Sequence, residues 1–291
     1  MQQFLSSISR YSFPSFLVFD DNRTPVMVNL DPANECMIYE CDVNIVNFVT
    51  VNKIMEKEKV GPNEALLRCI EWLENNFDRL LAQLEAFDEN RYFIFDLPGQ
   101  VELFTCHESL RNIIRRLERR QFRMAVVHLT DVHHCIDPMR YVSMLLITLK
   151  SMMHLECAQV NVLSKTDLLG SLDDLSMPLE FYLDVQDPKY LFAALEQDQF
   201  GKKYARLNEE ICELIEESGL LSFVPLAVED KDCMAFLLGE IDKANGYIFG
   251  ALTAGNESIT EAAVTALHRE RLVELIKERY TRSTYSNTRE K

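Results

Sequence analysis

Along the chain, short uninterrupted apolar runs alternate with longer stretches in which apolar residues recur every third or fourth position. The short runs predict strands at Thr24–Leu30, Arg91–Phe95, Arg123–Leu129, Gln159–Leu163 and Ser222–Leu226. They lack the in–out alternation of half-solvated strands, so both faces of the sheet they build are expected to be covered. In Glu64–Phe87 the residues Leu66, Ile70, Leu73, Phe77, Leu80 and Leu84 fall on one helical stripe. Similar spacing predicts helices over Ser109–Glu118, Pro138–Met153, Lys202–Ser218, Lys231–Ala244 and Glu261–Tyr280. Short strands separated by helices define an α/β chain with a mostly parallel sheet and right-handed crossovers. Ligands of such sheets sit at the carboxyl ends of the strands.

Composition narrows the classes. A chain of 291 residues with 47 % apolar content can bury a sizeable core in one or two domains. A net charge of −16 argues against general affinity for nucleic acid or anionic membranes. No run approaches the ~18 uninterrupted apolar residues of a membrane helix. Eight cysteines without a C-x-x-C pair read as scattered thiols of a reducing compartment. Met1–Ser7 has no basic start followed by an apolar core, so no secretory signal is expected. A soluble intracellular protein is the resulting expectation.

Polar residues collect at the strand ends. The first predicted strand closes as "VMVNLDPANE" (Val26–Glu35), with Asp31 and Pro32 where the chain emerges. The second closes as "YFIFDLPGQVE" (Tyr92–Glu102). In phosphate-binding folds an aspartate in D-x-x-G holds a Mg²⁺-bound water, and the glycine lets a backbone N–H approach the γ-phosphate. Gln100 follows, where an amide can orient an attacking water. The fourth closes as "NVLSKTDLL" (Asn161–Leu169). A carboxylate two residues after a lysine accepts both the ring N–H and the amino group of guanine, while the lysine stem lies over the base. Adenine presents the reverse donor pattern. Alone, D-x-x-G is more often a plain turn and S-K-T-D more often a helix cap; in this order on these strands they point to a nucleotide.

"VNLDPANE", "GPN" (Gly61–Asn63), "FDLPGQVEL", "SKTD" and "FVPL" together resemble, in order, the GPN-loop GTPases. "AVVHLTDVHHCIDP" and "DKANGY" resemble one branch of that family. The resemblance covers about residues 24 to 250 and implies a three-layer P-loop NTPase fold, G-domain-like. The corresponding domain limits are 1–23 (an atypical N-terminal segment), 24–250 (the GTPase domain) and 251–291 (a helix and basic tail). It implies GTP/GDP and Mg²⁺ as ligands. Asp31 would lie beside the metal and the nucleophilic water, and Asp96 would hold a metal-bound water. Gly99, Gln100 and Glu102 would border the γ-phosphate. Lys165, Asp167 and the backbone N–H of Ala227 would read the base. Asn63 would act on the phosphates held by the partner of a homodimer or a heterodimer with another GPN-loop GTPase, although Pro62 and Asn63 also suit a helix N-cap. The family further implies RNA polymerase II and III subunits or assembly factors as partners, nuclear import as the setting, and a cytoplasmic protein that shuttles to the nucleus. Neither direct nucleic-acid binding nor membrane binding is expected.

The usual first strand and Walker A loop, G-x-x-x-x-G-K-[ST], have no counterpart in these 291 residues, whose first glycine is Gly61. A truncated reading frame or splice form is the leading expectation, and real loss the alternative. In such sheets the strand before that loop is central, so its absence is expected to leave a gap in the ladder of the strands ending in Asp31, Asp96 and Asp131. Phe13–Phe19 ("FPSFLVF") is apolar enough to fill the gap, without a phosphate cradle. Two function classes follow: a dimeric GTPase, or a non-hydrolysing partner-binding protein of the same fold. "DVHHC" (Asp131–Cys135) carries metal-ligand types on adjacent residues that diverge, and the arginines of Arg111–Arg123 spread around an exposed helix face.

Overall fold

The computed structural model describes residues 25–34, 37, 39–88, 91–171, 175–185, 188–191, 202–246 and 257–280. Phe13–Phe19, Thr24, Glu35 and the tail beyond Tyr280 lie outside them. The chain divides into two compact units, Met1–Phe122 with His154–Glu156, and Arg123–Met153 with Cys157–Lys291.

In the first unit a parallel sheet has the order β2-β1-β3, with β1 Pro25–Asn29, β2 Val43–Asn44 and β3 Tyr92–Asp96. Strand β1 is central, and Val26–Asn29 are buried as its apolar run requires. The helices of this unit are α1 (Val51–Glu58), α2 (Pro62–Asn75), α3 (Phe77–Leu84), α4 (Val101–Thr105) and α5 (Glu108–Arg119). The stripe expected over Glu64–Phe87 buries Ile70, Leu73, Phe77, Leu80 and Leu84, but on two helices rather than one. Asn76 interrupts the ladder: its side-chain amide donates to the Trp72 carbonyl at 2.8 Å, a local bond that competes with helix continuation. Helix α5 buries Leu110, Ile113, Ile114 and Leu117, each contributing roughly 1.5–3 kcal/mol. Its polar face is an ion-pair lattice, in which Arg115 bonds Glu156, Arg116 bonds the Glu74 carbonyl at 2.7 Å, and Arg120 lies 3.7 Å from Glu85.

In the second unit the order is β4-β5-β6, again all parallel, with β4 Val126–Asp131, β5 Gln159–Ser164 and β6 Phe223–Leu226. Its helices are α6 (Pro138–Leu155), α7 (Leu179–Asp184), α8 (Ala205–Ser218), α9 (Lys231–Ala244) and α10 (Glu257–Tyr280). Leu272, Val273 and Ile276 bury the last of these.

Strand β1 has a partner on each side, so the gap expected beside the strand leading to Asp31 does not occur there; among the described residues β3 ends its own sheet and β4 ends the other. The sequence leads one to expect Tyr92–Phe95 to be buried; instead they are half-exposed, as are Val126–Leu129 of β4. Both strands carry core sequences, yet each has a ladder partner on one side only.

Candidate functional site

The expected site residues fall into two clusters, one in each unit. In the first, the turn after β1 is built by Asn29, which is fully buried. Its amide donates to the Asn44 side-chain oxygen at 3.0 Å and to the Asp31 carbonyl at 3.2 Å. Its own oxygen accepts the Asp31 N–H at 3.0 Å. Asp31 in turn accepts the Ala33 N–H at 2.9 Å, an Asx turn that Pro32 preorganises.

Asp96, in register with Asn29 across the β1–β3 ladder, is 3 % exposed. Its Oδ2 accepts the Tyr39 hydroxyl at 2.7 Å and the Asn34 amide at 3.5 Å. Burial pushes the Asp96 carboxyl above the usual carboxylate range, with those two donors pulling against it. Burial also pushes Asp31 up; the Ala33 N–H opposes this and the charge of nearby Asp96 adds to it. The Leu30 N–H donates to the Asp96 carbonyl at 2.8 Å, so the backbone sets Asp31 beside the end of β3, and the two carboxylates are all-oxygen ligands of the kind Mg²⁺ accepts. The fit is to an outer position: a metal-bound water would donate to Asp96 as the Tyr39 hydroxyl does here.

Beyond β3 the chain runs through Gly99, exposed, to Gln100 at the N-cap of α4 and exposed Glu102 in its first turn. A Cβ on Gly99 would meet nothing within 4 Å, so the fold itself leaves room over this backbone. The Gln100 side-chain oxygen is shielded from solvent and has no partner among the described residues. At the GPN loop the N-cap of α2 is Gly61, without a side-chain bond, and Pro62 takes the first helical position. The N-cap reading of Asn63 is thereby corrected: it lies one residue inside the helix, exposed, and does not cap it.

In the second unit Asp131 ends β4 and meets Lys165, which follows β5. Lys165 Nζ donates to Asp131 Oδ2 at 2.6 Å, while Asp131 Oδ1 accepts the His133 N–H at 3.0 Å and lies 2.6 Å from His133 Nδ1. Burial works to raise this carboxyl, but the Lys165 ammonium and the two His133 contacts hold it at about 2. Lys165 has φ 62°, a left-handed backbone rare for a residue with a side chain and typical of functional turns. Ser164, where the familiar motif has Asn, donates to the Thr130 carbonyl at 2.7 Å and so ties β5 to β4. Asp167 stands exposed in the short 3₁₀ turn Thr166–Ser171. Ala227, after the neighbouring strand β6, is buried, and burial pushes the thiol of nearby Cys233 up to about 11. Cys135 of "DVHHC" is buried and its thiol is pushed up to about 12. The Asn29, Tyr39 and Asp131 contacts escape sequence reasoning because their partners lie 15, 57 and 34 residues away.

Parallel α/β sheets with polar strand ends place the chain in the P-loop NTPase class of three-layer folds. A GTPase in apo form from Pyrococcus abyssi shares that fold, with a TM-score of 0.61 and 23 % identity, over 82 % of this chain and 92 % of that one. The family model described as "Conserved hypothetical ATP binding protein" matches residues 15–247. The chain is 43 % identical over 243 residues to the GPN-loop GTPase QQT1 of Arabidopsis thaliana, covering 83 % of this chain and 82 % of that protein. It is 43 % identical over 267 residues to the GPN-loop GTPase 2 of Danio rerio, covering 91 % and 81 %. Against the GPN-loop GTPase 2 of Saccharomyces cerevisiae the identity is 40 % over 263 residues, covering 88 % and 72 %. The chain belongs to the GPN-loop GTPase family.

Proposed function

We propose that the protein binds and hydrolyses GTP with Mg²⁺ as a homodimer or as a heterodimer with another GPN-loop GTPase. In this reading it assists assembly and nuclear import of RNA polymerases II and III, works in the cytoplasm and shuttles to the nucleus; that part rests on the family resemblance alone. The observation that carries the guanine reading is the pair Lys165 and Asp167 after β5, with the lysine head pinned by Asp131 and the Asp167 carboxylate exposed. Asp167 accepts from the two guanine donors, and the Lys165 stem covers the base plane. Bound Mg²⁺ would neutralise charge on the phosphate oxygens. Asp31 and Asp96 suit holding its waters, the unpartnered Gln100 oxygen suits orienting an attacking water, and the open backbone at Gly99 suits close approach of a phosphate. Glu102 borders the same place. Asn63, exposed at the start of α2, suits reaching the phosphates of a partner.

Phosphoryl transfer depends on positioning and charge stabilisation, and the P-loop lysine and hydroxyl are among the main contributors. The test is calorimetry and single-turnover hydrolysis, at millimolar Mg²⁺, on the 291-residue chain and on a version preceded by a strand and a G-x-x-x-x-G-K-[ST] loop. The first is expected to bind GTP weakly without useful turnover, and the second to bind GTP over ATP and hydrolyse it. In the second, Asn63→Ala should lower turnover far more than affinity, and turnover per subunit should fall on dilution to monomer. Equal binding of GTP and ATP overturns the guanine reading. Selective binding without turnover makes the non-hydrolysing partner-binding protein the better reading.

A further inference from the structure

The loop after β6 is held from the far end of the chain. Asp230 is a charged residue whose side chain is only 4 % exposed. It closes the turn Ala227–Asp230, its N–H donating to the Ala227 carbonyl at 3.0 Å, and its carboxylate caps α9 by accepting the Asp232 N–H at 2.9 Å. A buried carboxylate needs a cation, and Arg279, in the last turn of α10, supplies it. One guanidinium nitrogen bonds Asp230 and another bonds Asp232 at 3.0 Å. The planar fork thus spans the N-cap and first turn of one helix. The same helix serves a second loop. Helix α10 packs against the 3₁₀ turn Thr166–Ser171, which carries Asp167. Burial pushes the phenol of Tyr280, next to Arg279, upward, with the charges of Asp230 and Asp167 adding to it. One helix therefore meets both loops proposed to read the base.

We infer that Arg279 is a positioning residue for guanine recognition, locking the Ala227–Asp230 turn beside the Lys165–Ser171 turn through its fork on Asp230 and Asp232. The inference rests on the guanine reading above. It places a determinant of base selectivity more than fifty residues beyond Ala227 and outside every motif of the sequence. Helix α10 is also tied down at other points, by Arg269 to Asp184 at 2.7 Å and by Lys277 to Glu180. Both partners belong to α7 rather than to either loop, and these pairs give the control.

The experiment is ligand-detected NMR with guanosine and adenosine on the full 291-residue chain, since a nucleoside needs no phosphate cradle. Arg279→Ala should weaken guanosine binding and narrow the guanosine-to-adenosine preference by roughly tenfold, within the range that couplings through packed networks reach. Arg279→Lys should recover part of the loss, while Lys277→Ala, which releases the same turn from α7 instead of from the loop, should leave the preference unchanged. Amide exchange in 165–171 and 227–234 should quicken in Arg279→Ala and hold in Lys277→Ala. An Arg279→Ala chain with unchanged preference, or a Lys277→Ala chain that loses it equally, overturns the positioning role. A wild-type chain without preference between the two nucleosides overturns the guanine reading, and the positioning role with it.

Discussion

Asp96 and Asp131 each end a parallel strand, yet their carboxylates sit in opposite fields. Asp96 is almost wholly buried and takes its donors from a phenol and an amide, both neutral, so burial wins and the carboxyl is pushed up. Asp131 is more open and meets an ammonium at 2.6 Å, so pairing wins and the carboxyl is held at about 2. Neutral donors can be exchanged for the O–H groups of water at little electrostatic cost. A lysine on an unusual backbone, paired to a permanent anion, is instead a fixed strut. Under the proposed function, the β1–β3 cluster suits a site that changes partners during a reaction, and the β4–β5 cluster suits a fixed reading surface.

The largest effect should come from the reading surface. Asp167→Asn exchanges one acceptor oxygen for a donor that faces the donors of guanine. Mispaired donors of this kind cost on the order of 10²-fold or more in affinity. Nucleoside binding by the Asp167→Asn chain should therefore lose its guanosine preference while the Asp131–Lys165 pair stays intact. A preference that survives would detach base recognition from the strut and dissolve the contrast between the clusters.

In stability, Asn29→Ala should rank first. Asn29 serves three groups from a fully buried position, and its loss leaves the Asp31 N–H and the Asn44 side chain short of partners. Roughly 2–3 kcal/mol is expected from unsatisfied buried groups, read as a fall in denaturant midpoint at unchanged slope. A loss below ~0.5 kcal/mol, the scale of ordinary surface substitutions, would show that the turn holds Asp31 without this clamp.

How far these features are legible in the sequence depends on their range. The strands ending in Asp31, Asp96 and Lys165 are readable because parallel strands covered on both faces are continuous apolar runs. Helix α9 is readable to the residue, from Lys231 to Ala244, because Asp230 marks its cap. Strand β2 is two residues long, too short to show a period. The break at Asn76 is a side-chain bond inside an intact apolar stripe, which periodicity does not register. The site residues themselves are visible as motifs, but the fields on them are not. Tyr39 and Lys165 reach Asp96 and Asp131 from 57 and 34 residues away, and no local pattern encodes those distances.

Tyr39→Phe tests the exchangeable half. The hydroxyl pulls the Asp96 carboxyl down, so its removal should raise Asp96 still further. A raised carboxyl costs stability when ionised, so the variant should lose about 1.5 kcal/mol at neutral pH and regain part of it as pH falls through the folded value of Asp96. NMR titration of the Asp96 carboxyl is the direct measurement. A downward shift would mean that another cation, not neutral donors, governs this carboxylate.

Lys165→Met should have the smallest effect and the opposite pH dependence. Asp131, held at about 2, titrates below its ordinary value of about 3.9. The stabilisation from its pairing is therefore fully present above pH ~4 and fades as pH falls through about 2. Lys165 is 48 % exposed and Asp131 28 %, so solvent screening reduces the contribution to about 1 kcal/mol or less. Methionine keeps the stem and removes the ammonium, so Asp131 should move up towards the ordinary range, short of it because the His133 contacts remain. The difference in stability between wild type and variant should be constant from pH 5 to 7 and should shrink away as pH falls through about 2. Guanosine binding should persist, since the stem that covers the base is unchanged. A stability difference that grows on acidification would reverse the sign of the Asp131 shift, and with it the distinction between strut and exchangeable site.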